Sequence, residues 1–96
     1  MPVNIYRVTP EGQKNEPIAW LCDDDWRLLE QSEELEAWLA EQGPTLKPAH
    51  YVADIGFAPR RDAMGGGAAL SPELMRMMAD LGMYLFLSEY PADDEP

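Results

Sequence analysis

LSPELMRMMADLGMYLFLS, residues 70–88, decides the fold. It reads as a helix, a stop and a strand. Ser71 is a helix N-cap, and Pro72 takes the first helical position, where its missing N–H costs nothing. Leu74, Met77, Met78 and Leu81 recur at helical spacing and form one stripe for burial. Gly82 closes the helix, because the residue after a helix often takes left-handed backbone. Met83 to Ser88 is then apolar on both faces, which predicts an interior strand.

Upstream, HYVADIGF (residues 50–57) alternates. Tyr51, Ala53, Ile55 and Phe57 face one way; His50, Val52, Asp54 and Gly56 face the other. Residues 58–70 are a long loop. Residues 3–8 read as a strand, Thr9-Pro10-Glu11-Gly12 as a turn and IAWLC (residues 18–22) as a second strand pairing with the first. Asp23, Asp24 and Asp25 offer caps for a helix reaching about Gln42 before the Gly43-Pro44 stop. Leu28, Leu35, Trp38 and Leu39 share its inner face, and Ser32 marks a break near Gln31 as a new cap. The order β-β-α-β-α-β predicts an α+β fold, a single mixed sheet of about four strands with two helices packed on one face. Residues 1–90 are expected to form a single α+β domain, and PADDEP (residues 91–96) a disordered acidic tail.

The chain has 96 residues, 46% of them hydrophobic, and a net charge of −11. The charge falls in two blocks. Residues 23–41 hold Asp23, Asp24, Asp25, Glu30, Glu33, Glu34, Glu36 and Glu41 against Arg27 alone; Glu89, Asp93, Asp94 and Glu95 form the second block. Such a surface repels nucleic acid and membrane headgroups and suits a basic protein partner. No apolar run nears the roughly 20 residues of a membrane helix. MPVNIYRVTPEG lacks the basic and apolar regions of a signal peptide, so a cytoplasmic location is expected. Cys22 is the single cysteine, so no internal disulfide forms.

MGGGAALSPEL (residues 64–74) invites a phosphate-loop reading. It lacks the G-x-x-x-x-G-K-[S/T] spacing and the lysine that reaches phosphates. Arg60, Arg61, Gly65, Gly66 and Gly67 remain a weaker candidate loop site for an anion near a helix N-terminus. His50 with Asp54 is not a metal-ligand set, and Asp23 to Asp25 lack the spacing and closing glutamate of a calcium loop. No catalytic residue, metal or cofactor is called for. Trp20, Trp26 and Trp38 overlap the acidic block. Trp26 lies off the inner helical line, and an aromatic ringed by acids suits the anchor of a protein interface. The candidate partner-binding residues are therefore Asp23, Asp24, Asp25, Trp26, Glu30, Glu33, Glu34 and Glu36.

The apolar strand YVADIGF, the glycine loop, Leu70-Ser71-Pro72-Glu73-Leu74, Leu81-Gly82 and a last strand reaching Tyr90 together resemble the closing part of a bacterial family catalogued as domain of unknown function 4279. The acidic segment after IAWL resembles that family's middle, so the resemblance spans residues 18–90. It implies no catalytic residues and a small bacterial or phage protein of the immunity or inhibitor sort. The expected function is a non-enzymatic acidic binder that neutralises a basic toxin or nuclease. A phage anti-defence protein that binds a defence-complex subunit by imitating nucleic acid is the alternative. A small enzyme or anion binder using the Arg60–Gly67 loop is a third reading. The oligomeric state is left open by the sequence.

Overall fold

A computed structural model describes residues 2–9, 15–22, 24–60 and 64–90. Most of the turn expected after Thr9, the tail at 91–96, and the candidate residues Asp23 and Arg61 lie outside the described residues. The elements are β1 (Val3–Val8), β2 (Asn15–Leu21), α1 (Leu28–Gln42), a short 3-10 turn (Gly43–Thr45), β3 (Tyr51–Phe57), α2 (Pro72–Leu81) and β4 (Met83–Glu89). The strands form one four-stranded sheet in the order β2-β1-β3-β4. β1 runs antiparallel to both β2 and β3, whereas β3 and β4 are parallel. A parallel pair needs a crossover, and α2 supplies it. The fold is the α+β arrangement that the element order predicts.

One core lies between the sheet and the helices. Val3, Ile5, Tyr51, Ala53, Ile55 and Met83 come from the strands, Leu35 and Leu39 from α1, and Leu74, Met78 and Leu81 from α2. Residues of one parity on each strand point into this layer, so both helices cover the same face. The local signals of α2 act as read: the Leu74 N–H donates to Ser71 Oγ at 3.0 Å, and Gly82 takes φ 79°. A Cβ at Gly82 would lie 2.5 Å from the Ala49 carbonyl oxygen, so close approach as well as backbone angle demands glycine there.

Four expectations are corrected. β2 begins at Asn15 rather than Ile18, because Asn15 and Glu16 pair with Val8 and Arg7 through the backbone and need no apolar side chain. Ile18 falls where the β1–β2 register shifts, as the extra residue of a bulge. α1 begins at Leu28 with Arg27 as its N-cap and no side-chain cap, so neither Asp24 nor Asp25 takes the cap position. It also runs unbroken through Gln31 and Ser32: the buried Ser32 hydroxyl donates to the Leu29 carbonyl at 2.8 Å inside the helix instead of starting a new one. Lastly, β4 is an edge strand, not an interior one. Its odd residues Met83 and Leu85 face the core layer, while Tyr84 and Phe86 stand exposed on the open face of the sheet. No helix among the described residues is long and apolar enough to cross a membrane.

Candidate functional site

The acidic block is shaped by the short segment between β2 and α1. Cys22 has φ 56°, a left-handed turn that swings the chain off the sheet edge. The Asp25 N–H donates to the Cys22 carbonyl at 3.2 Å. The Asp25 carboxylate then accepts from Arg27: backbone N–H at 3.1 Å, Nε at 3.0 Å and the terminal NH2 group at 3.1 Å. These hydrogen bonds hold the Asp25 carboxyl below its ordinary value. Glu30 Oε1 stands 3.5 Å from the same Arg27 Nε. The one basic residue of this block is thus already shared between two of its acids.

Beyond Arg27 the acids are free to face solvent. Glu33, Glu34 and Glu41 are exposed on α1, opposite the buried line of Gln31, Leu35 and Leu39, and Asp24 is exposed just before it. Glu36 departs from the set. It lies on the flank toward α2, where Ser71 Oγ donates to Glu36 Oε1 at 3.0 Å. Ser71 therefore accepts from the helix and donates to Glu36, and Glu36 secures the start of α2 rather than joining an open face. Trp26 is 41% exposed and packs edge-on against Tyr90, with ring centroids 5.5 Å apart. Its carbonyl accepts from the Ala58 N–H at 3.0 Å, which fixes the segment to the end of β3. Asp24, Asp25 and Trp26 thus lead directly into the helix that carries Glu30, Glu33 and Glu34.

The glycine loop forms a second locus. Gly65, Gly66 and Gly67 have φ of 118°, 77° and 116°, a run that only glycine takes without strain. The Arg60 guanidinium donates to the Gly65 carbonyl, so the loop closes around that side chain. Arg27, Leu28, Phe57, Pro59, Arg60 and the three glycines line a cavity of about 410 Å³. Both arginines at its wall are occupied by partners within the chain, which leaves the hollow mostly apolar in character. Among the described residues no group of three or more His, Cys, Asp or Glu side chains could hold a metal ion. His50 packs against Tyr84, with ring centroids 4.9 Å apart and the planes tilted by 42°.

Two features escaped the residue pattern. Gln31 is 0% exposed; its Nε2 donates to the Asp25 carbonyl and to the Gly56 carbonyl, each at 2.7 Å, and ties the acidic segment to β3. Its place three residues after Leu28 and four before Leu35 was the available signal. The second is the open sheet face, where Trp20, Tyr84 and Phe86 are exposed and Asp54 accepts from the Ser88 hydroxyl at 2.8 Å. Partial burial, helped by the charge of Asp54, pushes the nearby Tyr6 phenol up from its ordinary value. No protein-family model, no curated protein and no solved structure matches this chain.

Proposed function

We propose that the chain is a non-enzymatic acidic binding protein that neutralises a basic protein partner, in the manner of an immunity protein or inhibitor. The observation that carries this reading is one juxtaposition. An aromatic side chain held by Tyr90 yet 41% exposed, Trp26, stands at the head of a helix whose outer face is Glu33, Glu34 and Glu41. A fixed aromatic anchor costs little entropy on binding, and surrounding acids steer a basic partner toward it. Arg27 is already engaged by Asp25 and Glu30, so compensation for the remaining acids falls to the partner.

The test is a calorimetric titration of the captured partner with wild-type protein and with the pair Glu33→Lys and Glu34→Lys. Glu36 stays untouched, because it secures α2. Affinity is expected to fall by about tenfold or more, and wild-type affinity to fall with salt. An affinity that ignores both changes would sink the proposal. A second reading, a binder of small ligands at the Arg60–Gly67 loop, has the 410 Å³ cavity in its favour. Its two arginines would first have to give up their present partners.

A further inference from the structure

Among the described residues β4 has an edge with no strand beside it, and up to Ser88 it has none of the features that usually keep such an edge single. The backbone geometry says which groups it presents. The Tyr51 N–H donates to the Gly82 carbonyl and the Tyr90 N–H to the Phe57 carbonyl. Residues of even number on β4 therefore turn their N–H and C=O groups toward β3, and Met83, Leu85, Leu87 and Glu89 turn theirs outward. From Met83 to Ser88 there is no charge and no proline. Apolar side chains flank this edge on both faces: Tyr84, Phe86 (45% exposed) and Leu87 (55% exposed) on the strand itself. Met77 of α2 lines the hollow between the helices, so the exposed Met75, nearly opposite on that helix, lies on the β4 side.

We propose that β4 is a self-association edge: a second copy pairs antiparallel along β4, with the two-fold axis at Phe86, and the two sheets become one. Three observations favour a second copy over an unrelated strand. The first is register. The outward groups must pair odd residues with odd, and the register that uses all of β4 sets Leu85 opposite Leu87, Tyr84 opposite Ser88, and Phe86 opposite its own equivalent. The strand is its own apolar complement, which a closed two-fold interface requires. The second is charge within the strand: Glu89 falls opposite Met83 of the second copy, so no like charges meet. The third is charge in the molecule. α1 packs against β2 and β3 while α2 packs against β4, so the first acidic block, carried by α1, lies beyond α2 from the pairing edge, and of the second block only Glu89 falls within the strand. A net −11 on each copy still opposes the dimer at long range. Self-association should therefore strengthen with salt, whereas binding to a basic partner should weaken with it. The opposite signs keep the two proposals separable.

Sedimentation velocity of the full chain, from micromolar to submillimolar protein and at low and high salt, tests this. The expected result is a species of twice 10.8 kDa, favoured by concentration and by salt. Phe86→Lys sets two cations face to face at the axis and should abolish it. In a Cys22→Ser background, Phe86→Cys should give a disulfide-linked dimer under mild oxidation, because the two equivalents form a close non-hydrogen-bonded pair within disulfide reach. Leu87→Cys, facing Leu85, should not. A protein that stays at 10.8 kDa throughout would overturn the proposal, and so would a dimer that cross-links through Leu87→Cys but not through Phe86→Cys.

Discussion

β2 and β4 close the two sides of one sheet and are built in opposite ways. β2 carries Pro17 opposite Tyr6, whose own backbone groups face β3, so the proline occupies an outward position and removes a donor from the edge. Beside it Glu16 is drawn to Arg7 at 2.5 Å, and the bulge at Ile18 twists the strand. Proline, charge and bulge are the usual means of keeping an edge from recruiting another strand. β4 has none of them between Met83 and Ser88. One chain that guards one edge and leaves the other bare has separated two roles: β2 borders the segment leading into the acidic face, and β4 is left for assembly.

The most severe way to break the contrast is to remove what both edges hang on. Ile55, fully buried on β3, packs beneath the centre of the sheet. Ile55→Ala should cost about 2–5 kcal/mol in urea unfolding followed by tryptophan fluorescence, and should loosen both edges together. A loss under about 1 kcal/mol would mean that the centre does not bear them. A milder change sharpens the contrast by making the edges alike. Pro17→Thr restores an outward N–H to β2 and should add species larger than the dimer in sedimentation, though Glu16 and the bulge still resist. An unchanged distribution would show that the proline is not the guard. The smallest effect leaves both edges alone. Hydrogen bonds from Arg27 lower the Asp25 carboxyl, so its stabilising contribution is complete at neutral pH and is lost as pH falls through its lowered folded value. Asp25→Asn should make the acid limb of the stability profile shallower while leaving the dimer intact.

The sequence carried the fold where residues act locally. Ser71, Pro72 and Gly82 bracket α2 through their own backbone preferences, and the alternation in β3 follows from the pleat. It carried less wherever partners compete. Asp25 has the chemistry of a cap, but Arg27 two residues on takes its carboxylate. Glu36 looks like any other acid of the block until the packing of the helices brings it to Ser71, 35 residues away. The apolar run of β4 was legible as a strand, yet its place at the edge was not. A strand apolar on both faces reads the same whether a neighbour already covers it or one is still to come. Side-chain pattern records which surfaces avoid water, and backbone pairing decides which strand supplies the cover.

Amide hydrogen exchange compares the two edges within one molecule. The Trp20 N–H of β2, paired with Asn4 and turned outward, serves as the internal reference. At submillimolar concentration the Leu85 and Leu87 amides should exchange far more slowly than that of Trp20, and their protection should fade on dilution. Equal, fast exchange of all three at every concentration would contradict the bare edge's role in assembly.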